Sequence, residues 1–600
     1  MPPTFRSTRT FLEFCREKGE LAIVDREVDP YLELGEIADR AMRSPGGGKA
    51  LLFRRVRGSD FPVAVNILGS ENRMAWAMGE DSLAAVEARI AALVELEPPH
   101  SLGEAWRAAL TLAGLRHVPP RTVRSGPCQE VIEPSVDLSR LPVLTTWPED
   151  AGPFITWPMV FSRSPNGKAN CGMYRMQVFD KTSTGMHWQR QKDGRRHVDE
   201  AARRIPVAVA LGGPPVLTWA ATAPLPPDIF EMLLAGFLQR RRVPMVRCGV
   251  HDLLVPAEAD FVLEGWVDPE DLRREGPFGD HTGYYSQAGD YPVFRVERIT
   301  RRKDAIFPAT VVGIPPKEDG FLGLATERLF LPLIRRVHGE IRDLHLPPQG
   351  VFHNLVVASV RKRFPAHAHK SFHAIWGTGQ MMFTKSVVAV DEGTDLSDPR
   401  AVLAALDKNW HAARDTVLST GPADSLDHAG REDQGGKIGL DATRRIPGED
   451  LSPRSAPEGR AGEPFSAGVP AGVLRWSLPE GSDGRVLLVL LDKNRPAQGT
   501  DFLRRLRPAD LTTRILVVAV FDDHEALESG GMALVVGGAN CDPSRDVVVL
   551  DSPRPGLALG LDCTKKRPDE GYGRGEWPRL IKQDPSVVAK VDADLKEHPL

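Results

Sequence analysis

Residues 154–179 read FITWPMVFSRSPNGKANCGMYRMQVF, and this stretch decides how the middle of the chain is interpreted. It holds two runs rich in aromatic and β-branched residues, Phe154–Ser162 and Met173–Phe179, on either side of a turn with Pro and Gly. Short runs of this composition between turn residues predict β-strands. Similar runs recur along residues 119–325 and favour a barrel or a sandwich, interrupted by one predicted helix. That helix is Asp228–Gln239, and the further strands are Val207–Leu211, Val243–Arg247, Pro292–Thr300 and Ala305–Val312.

An α/β pattern is predicted on both sides of this β-rich region. Residues 1–118 alternate between helical and strand spacing, from the amphipathic segment Phe11–Lys18 to the apolar run Pro62–Leu68. Residues 326–454 show the same alternation, with a predicted helix at Pro399–Asn409. Such alternation is typical of α/β units. The predicted fold class is therefore multidomain, α/β and α+β, with a central β-rich domain between two α/β domains.

The C-terminal part of the chain predicts a further small module. Residues 423–468 are rich in Gly, Pro and charge and predict a loop, and three apolar runs follow at Val486–Leu491, Ile515–Phe521 and Val547–Leu550. Helical patterns between these runs favour a βαβ-like module over residues 455–560. Two similar hexapeptides, GLDATR at 439–444 and GLDCTK at 560–565, flank it. Two hexapeptides do not establish a repeat architecture, so an insertion is predicted, followed by a terminal segment, 561–600, with a helix at Pro585–Leu595.

Composition and charge exclude several classes of protein. The 600 residues include 76 Lys and Arg against 80 Asp and Glu, a net charge of −4. A nucleic-acid-binding protein usually has a surplus of basic residues, and this chain has none. No run reaches the ~18 apolar residues of a transmembrane segment. Arg6, Arg9 and Glu13 interrupt the start of the chain where a signal peptide would be apolar. A cytoplasmic protein is predicted, and peripheral contact with a membrane through a lipid-soluble substrate stays open.

The cysteines predict neither a zinc site nor disulfides. All six lie far apart in the sequence and form no CxxC pair. Reduced and mostly buried thiols are expected.

Residues 170–178, NCGMYRMQV, are the first candidate for chemistry. On a strand the side chains alternate, so Met173, Arg175 and Gln177 would share one face. An arginine on the face of a barrel needs an anionic partner, either a carboxylate or a phosphate. The alternative is an arginine on an edge strand in solvent, where most arginines lie.

Asn170, His187 and Glu231 are candidate metal ligands. One amide oxygen, one imidazole and one carboxylate suit manganese or magnesium better than a thiophilic metal. His187 precedes Trp188, however, and a packed core histidine fits that context equally well. Glu231 stands in the first turn of the predicted helix, where the helix dipole already explains a carboxylate. Spacing alone does not show that the three side chains converge.

The most specific motif is EGPFGDHTGYY at residues 275–285. Glu275 and Asp280 are two carboxylates on a loop stiffened by Gly and Pro, so both can face one pocket. Near an arginine, such a pair can have its pKa values driven apart, which would provide a general acid and a general base. The alternative is a structural or calcium-binding turn.

These motifs, in this order, resemble the UbiD family of decarboxylases. The resemblance extends to NILGS at 66–70, GKIGLDAT at 436–443 and EWP at 576–578, and covers nearly everything except about residues 455–560. It implies a central split β-barrel that binds prenylated FMN, flanked by N- and C-terminal α/β domains. It also implies manganese (or magnesium) and potassium at the cofactor phosphate, a flavin prenyltransferase that supplies the cofactor, and a homo-oligomer, since family members form dimers or hexamers.

The resemblance assigns a role to each candidate residue. Arg175, Glu275 and Asp280 match the catalytic triad, and Asn170, His187 and Glu231 match the metal ligands. Glu231 is preferred to Glu264 because the metal-binding Glu of the family lies far upstream of the paired carboxylates. The positions that match cofactor contacts are Met173, Tyr174, Arg175, His187, Trp188, Gln189, Lys192, Asp193 and Lys385.

The implied reaction is a decarboxylation in which the flavin accepts the electrons that the departing carbon dioxide leaves behind. Arg175 would orient the substrate carboxylate and hold Glu275 ionised. Asp280 would protonate the product carbon, which requires a raised pKa in a dry pocket.

The substrate stays open among related acids. The length, the insertion, GPFIT at 152–156, the His-Trp pair at 187–188, ATVVG at 309–313 and ED at 318–319 resemble the menaquinone branch, whose proposed substrate is a 1,4-dihydroxy-6-naphthoate-type acid. The alternatives are 4-hydroxy-3-polyprenylbenzoate of ubiquinone biosynthesis, a catabolic hydroxyarene acid, and the carboxylating direction. A flavin-binding protein without turnover would tolerate the loss of Arg175, Glu275 and Asp280, and all three are present.

Overall fold

The computed structural model describes residues 3–96, 100, 101, 106, 114–201, 203–450, 463–465, 468–507, 510–512, 514–551 and 555–600. The chain divides into two compact units, Met1–Pro332 with Arg579–Leu600, and Leu333–Pro578. The predicted segments 1–118 and 119–325 fall in the first unit. Segments 326–454 and 455–560 fall in the second, apart from residues 326–332, and segment 561–600 is divided between the two.

The first unit contains sixteen described strands in three sheets. In chain order these are β1 (Leu21–Val28), β2 (Ala50–Val56), β3 (Val63–Val65), β4 (Arg121–Val123), β5 (Val131–Ile132), β6 (Phe154–Ile155), β7 (Met159–Arg163), β8 (Ala169–Met173), β9 (Met176–Asp180), β10 (Ser183–Gly185), β11 (Ile205–Leu211), β12 (Pro244–Arg247), β13 (Leu254–Pro256), β14 (Phe261–Glu275), β15 (Gly289–Arg301) and β16 (Phe307–Pro308). One sheet has the order β1-β2-β3-β16, a second has the order β13-β12-β4, and the third has nine strands.

The nine-stranded sheet is antiparallel throughout and has the order β6-β9-β10-β15-β14-β11-β7-β8, with β5 beside β15. It curls into a half-barrel, and its strand β11 is buried on both faces. In β11, Val207 and Val209 pack in one apolar cluster, whereas Ala208 and Ala210 pack in another. This explains why β11 is a continuous apolar run rather than an alternating one, since side chains on both faces leave water.

Nine described helices contribute to the first unit, and the first of them begins with a capping box. The Ser7 hydroxyl accepts a hydrogen bond from the Thr10 backbone N–H, which satisfies a donor that the helix leaves free. No described helix is long and apolar enough to cross a membrane. The six cysteines are free and buried, as predicted. The helices are Thr8–Glu17, Glu33–Met42, Glu71–Ala77, Leu83–Val94, Asp193–Ala201, Pro215–Ala220, Glu231–Leu238, Glu318–Val337, whose last turn crosses the unit boundary, and Pro585–Glu597.

The half-barrel differs from the sequence prediction in several places. The predicted strands Val243–Arg247 and Ala305–Val312 correspond to β12 and β16, which belong to the two other sheets of this unit. The structure has four strands where two were predicted over residues 154–179, and the third break, between β8 and β9, removes Tyr174 and Arg175 from regular pairing. Alternation holds only along a continuous strand, so it does not by itself explain the predicted shared face of Met173, Arg175 and Gln177. Arg175 and Gln177 nevertheless both contact the loop that follows β14. The longest strand, β14, was missed because charged residues and Pro269 mask its alternation.

The second unit contains ten described strands in two five-stranded sheets. They are β17 (Ile341–His345), β18 (Leu355–Val360), β19 (Ser386–Asp391), β20 (Thr416–Pro422), β21 (Gln434–Asp441), β22 (Val473–Ser477), β23 (Val486–Leu491), β24 (Val517–Phe521), β25 (Val547–Asp551) and β26 (Pro555–Asp562). Five described helices connect them: His367–Trp376, Pro399–Asn409, Gln498–Arg505, Gly530–Asn540 and Pro543–Asp546. With its α/β alternation, this unit confirms the mixed α/β character of the chain.

Residues 473–562 form a full sheet rather than a βαβ module alone. The sheet order is β22-β23-β24-β26-β25, and the hexapeptide GLDCTK lies at the end of its strand β26. The predicted loop 423–468 also contains a strand, β21, which ends in GLDATR. Residues 451–462, 466 and 467 of that predicted loop lie outside the described residues.

Candidate active site

Arg175 is the centre of a buried ionic cluster in the first unit. Its Nε donates to Glu275 Oε1 at 3.2 Å, its Nη1 donates to Asp280 Oδ2, and its Nη2 donates to Ser286 Oγ at 3.0 Å. The side chains of Arg175, Glu275 and Asp280 are 9%, 0% and 10% exposed. The structure therefore brings the three predicted catalytic residues together, with each carboxylate accepting a charge-assisted hydrogen bond from a different N–H group of one guanidinium.

Two neighbouring groups hold the loop that carries the carboxylates. Glu275 is the last residue of β14, and the backbone N–H of Gly276 donates to Gln177 Oε1 at 2.8 Å. The backbone N–H of Gly279 donates to Asp150 Oδ1 at 2.7 Å. Each bond satisfies a loop donor and fixes the backbone on either side of the motif.

An aromatic ring completes the setting of the guanidinium. The Arg175 carbon Cζ lies 5.0 Å from the centre of the Phe278 ring, a cation–π distance. Phe278 in turn packs on Phe154, with 4.5 Å between ring centres. These rings shield one side of the ion cluster from water.

The pKa values of the two carboxylates move in the same direction. Burial acts to raise the pKa of Glu275, but the neighbouring His187 and Arg175 hold it below its ordinary value. Burial also acts to raise the pKa of Asp280, but Arg175 and His281 hold it well below its ordinary value. The predicted raised pKa of Asp280 is thus not found in the free protein, because the guanidinium outweighs the loss of hydration.

Other acids near the cluster have raised pKa values. Burial raises the pKa of Asp150 to about 6 despite three backbone hydrogen bonds to it. Partial burial, with Asp280 as an additional like charge, raises the pKa of Asp319 to about 6. Acids that titrate near neutral pH beside an ion cluster are typical of functional sites.

The predicted metal ligands lie in two groups, His187 beside Glu275 and Glu231 beside Asn170. His187 Nδ1 lies 2.8 Å from Glu275 Oε1, so His187 belongs to the ion cluster. Glu231 accepts a hydrogen bond from the Cys171 backbone at 2.7 Å, beside Asn170 in β8, and burial raises the pKa of Glu231 to about 7. Among the residues that the structure describes, no three His, Cys, Asp or Glu side chains converge as a metal site.

The predicted cofactor positions show a shortage of polar partners. Four buried polar atoms have no hydrogen-bond partner among the described residues, namely Asn170 Nδ2, His187 Nε2, Trp188 Nε1 and Gln189 Oε1. Buried polar atoms are nearly always paired in native proteins. Phosphate oxygens could accept hydrogen bonds from the N–H groups among these atoms, and a cation or an N–H group of the cofactor could satisfy Gln189 Oε1, so these atoms fit the group that the sequence implies.

The remaining cofactor candidates lie close to these atoms in the chain. Met173 ends β8, and the ring of Tyr174 meets the ring of Trp188 edge-on at 6.2 Å. Lys192 and Asp193 follow, and Asp193 opens the helix Asp193–Ala201. In that helix Gly194 lies under the Trp188 indole, so that a Cβ at Gly194 would lie 2.5 Å from Trp188 Nε1.

Lys385 is the one predicted cofactor contact in the second unit. Its Nζ donates to Asp427 Oδ1 at 3.0 Å and to the backbone oxygens of Gly538 and Cys541 at 2.6 and 3.1 Å. The assignment of Lys385 to the cofactor stays a prediction.

Family comparison identifies the chain once this geometry is known. Residues 121–315 match the 3-octaprenyl-4-hydroxybenzoate carboxy-lyase Rift-related domain of UbiD. Residues 12–93 and 320–442 match the N-terminal and C-terminal domains of the same family. The chain belongs to the UbiD family. As a UbiD enzyme it is a decarboxylase, a carboxy-lyase.

Relatives of this UbiD chain include two proteins described only as uncharacterized. One, of Archaeoglobus fulgidus, is 46% identical over 74% of this chain and 92% of its own length. The other, of Helicobacter pylori strain J99, is 39% identical over 73% of each chain.

Solved structures with the same fold include a UbiD-class enzyme and a decarboxylase. The UbiD-class enzyme HmfF of Pelotomaculum thermopropionicum, in complex with FMN, is 29% identical, with a TM-score of 0.63 over 75% of this chain and 97% of that one. The vanillic acid decarboxylase of Sedimentibacter hydroxybenzoicus in its closed form is 25% identical, with a TM-score of 0.66 over 78% of this chain and 97% of that one.

Some groups around the UbiD site were missed by sequence analysis. Ser286 and Phe278 stand in or just after the 275–285 motif, and their nearness to Asp280 could have suggested a role. Asp319 was noted only as part of the ED pair at 318–319, and Asp150 carried no signal. Both reach the site through the folding of distant segments.

Proposed function

We propose that this chain is a prenylated-FMN-dependent decarboxylase that removes the carboxylate of a hydroxylated aromatic acid without net oxidation. The observation that carries this proposal is the buried bonding of Arg175 to both Glu275 and Asp280. Structural neighbours in complex with FMN and with prenylated FMN support the choice of cofactor. The preferred substrate is a 1,4-dihydroxy-6-naphthoate-type acid of menaquinone biosynthesis.

The cofactor and its metal are assigned to the region with unpartnered polar atoms. Asn170, His187 and Glu231 would hold manganese or magnesium at the flavin phosphate, since hard oxygen donors with one imidazole suit these ions. Prenylated FMN, when bound, supplies an electron sink for the carbanion that decarboxylation leaves. Trp188, Gln189 and Lys192 would make polar contacts with it.

Arg175 has two tasks in this proposal. Its guanidinium binds the substrate carboxylate, and it keeps Glu275 ionised. An incoming carboxylate competes with Asp280 for the same N–H groups. Asp280 then loses part of its counter-charge in a site that excludes water, so its pKa rises toward protonation. In this way a residue that is ionised in the free protein becomes an acid only when substrate is bound.

The proton balance assigns the last step to Asp280. Once carbon dioxide has left, the ring carbon needs one proton, and the Asp280 carboxyl donates it from Oδ2. His281 Nδ1 lies 2.9 Å from Asp280 Oδ1 and is one quarter exposed, so it can return a proton from solvent. The net reaction consumes one proton and needs no oxidant or reductant.

The first experiment determines what the protein binds. The chain is produced together with a flavin prenyltransferase, the released small molecule is weighed by mass spectrometry, and manganese is quantified. Prenylated FMN at about one per chain is expected. Turnover of three candidate substrates is then measured as loss of the absorbance of the substrate: dihydroxynaphthoate, 4-hydroxy-3-polyprenylbenzoate and a dihydroxybenzoate. Folded protein that takes up no flavin would refute the cofactor assignment.

Asp280→Asn tests the acid directly. We expect turnover to fall by roughly 10²–10⁴-fold, the usual contribution of a general acid, while flavin content stays unchanged. Asp280→Glu should recover part of the activity because it restores the proton donor. Glu149→Gln, at a carboxylate that is 46% exposed, is the control and should be fully active. Normal turnover by Asp280→Asn would show that the proton comes from elsewhere.

A further inference from the structure

The two sheets of the second unit have the same topology. In β17-β18-β19-β21-β20 the outer pairs are antiparallel and the two inner pairs are parallel. The sheet β22-β23-β24-β26-β25 has the same order and the same directions. The register agrees as well. The first residues of β18 and β19, Leu355 and Ser386, pair with each other, and so do the first residues of β23 and β24, Val486 and Val517.

Polar contacts that hold each sheet together are also repeated. Lys362 Nζ lies 2.8 Å from Glu449 Oε2, and Lys493 Nζ lies 2.8 Å from Glu570 Oε2. In both cases the lysine follows the second strand, and the glutamate also accepts a backbone N–H from an alanine before the next helix. Those alanines, Ala366 and Ala497, are both left-handed, with φ of 61° and 53°.

A second set of repeated contacts follows the third strand of each sheet, β19 and β24. Asn409 Nδ2 donates to the Ala442 oxygen at 2.9 Å, and Asn540 Nδ2 donates to the Cys563 oxygen at 3.2 Å. Identical residues occupy equivalent places at twelve positions: Lys362 and Lys493, Pro365 and Pro496, Ala366 and Ala497, Asn409 and Asn540, Arg414 and Arg545, Asp415 and Asp546, Gly439 and Gly560, Leu440 and Leu561, Asp441 and Asp562, Thr443 and Thr564, Pro447 and Pro568, Glu449 and Glu570.

The two copies face each other through reciprocal contacts. Asp407 of the first copy forms an ion pair with Arg485 of the second at 3.2 Å. The equivalent positions, Gly538 and Asn354, also meet, since a Cβ at Gly538 would lie 3.2 Å from the Asn354 Cβ. A contact in which position i meets j and j meets i defines an interface with twofold symmetry.

A second pair of contacts follows the same rule. A Cβ at Gly531 would lie 3.4 Å from Gln349 Cγ, and a Cβ at Gly481 would lie 3.8 Å from Arg400 Nε. Gly531 is equivalent to Arg400, and Gly481 is equivalent to the neighbour of Gln349. Ile438 and Leu559, which are equivalent to each other, belong to one apolar cluster shared by both copies.

We propose that residues 473–571 are a second copy of the fold of residues 341–450, and that this copy takes, within the same chain, the place of a partner subunit across a twofold interface. The hexapeptides GLDATR and GLDCTK are then equivalent ends of two like sheets, not flanks of an insertion. The partner that this face of the first copy fits is a copy of itself, and the chain carries that partner covalently.

The second copy is a scaffold and not a second site. Leu516 stands at the position of Lys385, and Ala558 stands at the position of Lys437. The loop with Asp427 and His428 spans residues 423–433 between β20 and β21, whereas only residues 552–554 separate β25 from β26, a connection too short to repeat that loop. At these two positions the second copy therefore has a buried apolar side chain where the first copy has a buried lysine.

The scaffold also completes the polar cluster of the first copy. Its Gly538 and Cys541 backbone oxygens accept from Lys385 Nζ, and Asn540 Oδ1 lies 3.0 Å from His428 Nε2. A built-in partner therefore supplies acceptors for a buried ammonium, which would otherwise be costly to bury.

An engineered disulfide tests the proposal in the full chain. Asn354→Cys with Gly538→Cys brings two Cβ atoms close to the separation of about 3.8 Å that disulfides prefer. After mild oxidation we expect a disulfide within one chain, with a yield that does not depend on protein concentration, as seen on non-reducing gels and by peptide mapping. A linked dimer whose yield rises with concentration would overturn the proposal, since the partner copy would then come from another chain.

A second pair protects the test against a folding failure. The positions of a second pair of substitutions, Gln349→Cys and Gly531→Cys, are half-buried. This double variant should also form a disulfide within one chain, whereas each single variant should form none. If neither pair of cysteines links in folded protein, the interface is not as described and the proposal is refuted. Flavin content and turnover are not read out, so failure of the proposed function would leave this test unaffected.

Discussion

Arg175 carries one delocalised charge against two buried carboxylates and an aromatic ring. Its Nε, Nη1 and Nη2 atoms each have a different partner, so the guanidinium determines both the geometry and the ionisation of the cluster. Lysine could supply the charge but not the planar fork. The arginine is therefore a residue on which stability and the proposed catalysis both depend.

Arg175→Met should destabilise the first unit in a pH-dependent way. Removing one partner of a buried ionic group costs about 3–5 kcal/mol. In the wild type the pKa values of Glu275 and Asp280 are lowered, so their stabilisation is present above the pKa values of the unfolded chain and is lost as pH falls. The difference in unfolding free energy should be larger at pH 7 than at pH 3, because the stabilisation begins to be lost only below the unfolded pKa values, near pH 4. Chemical denaturation at both pH values measures it, and a constant difference would contradict the ionic account.

At the scale of elements, the loop between β14 and β15 is positioned by contacts from elsewhere in the first unit. Gly276 and Gly279 donate backbone N–H groups to Gln177 and Asp150, and the loop leaves little space. A Cβ at Gly279 would lie 2.3 Å from Trp147 Cδ1. Gly279 is therefore needed for close packing, whereas Gly276 and Gly283 of the same loop have positive φ angles of 85° and 82°.

Gly279→Ala should displace either the loop or the Trp147 ring and so misplace Asp280. A shift of about 1 Å in a catalytic group can lower the rate by roughly 10²-fold. We expect kcat to fall while the flavin remains bound, as measured by turnover and by absorbance of the flavin. Gly573→Ala, where a Cβ meets nothing within 4 Å, is the matched control. Equal activity of the two variants would show that the loop tolerates the shift.

The helix Glu318–Val337 begins with a buried acid that links stability to pH. Glu318 accepts hydrogen bonds from the Leu68 backbone at 2.6 Å and from Thr310 Oγ1 at 2.7 Å. Burial raises the pKa of Glu318 to about 7. Because the folded-state pKa exceeds the unfolded value, the contribution is fully present below about pH 4.5 and is lost as pH rises through 7.

Glu318→Gln should remove this pH dependence. From the difference between the two pKa values, ionisation of Glu318 costs roughly 3–4 kcal/mol of stability above pH 7. The variant should lose stability at pH 5 but lose less, or gain, at pH 8, as followed by Tm across that range. Glu149→Gln, at an exposed position, should leave the slope unchanged. A parallel shift of Tm at all pH values would contradict the assigned pKa.

At the scale of the whole molecule, the interface between the two copies predicts energetic coupling. Asp407→Ala and Arg485→Ala each remove one partner of the same ion pair. We expect a coupling energy of roughly 0.5–1 kcal/mol in a double-mutant cycle, the range of partly exposed pairs. Arg495→Ala, from the Arg495–Asp501 pair within the second copy, should combine additively with Asp407→Ala. Additivity of the first pair as well would argue against the contact.

Local features of the sequence were sufficient where short-range forces decide the structure. The helix Pro399–Asn409 and the strand Val486–Leu491 were predicted with their observed bounds, because periodicity, caps and turn residues lie within the element itself. Arg175, Glu275 and Asp280 were selected because their motifs are contiguous and their chemistry is distinctive. The family followed from the same motifs.

The tertiary structure decided whatever depends on residues far apart in the chain. Arg175 leaves the strand pattern, and its charge, about 100 residues from the carboxylates in sequence, lowers the pKa of Asp280 instead of leaving burial to raise it. Two hexapeptides were too little to establish a repeat, whereas the order and direction of ten strands did so. The physical reason is the same in each case: electrostatic and packing energies depend on distance in space, and the sequence by itself specifies only neighbours along the chain.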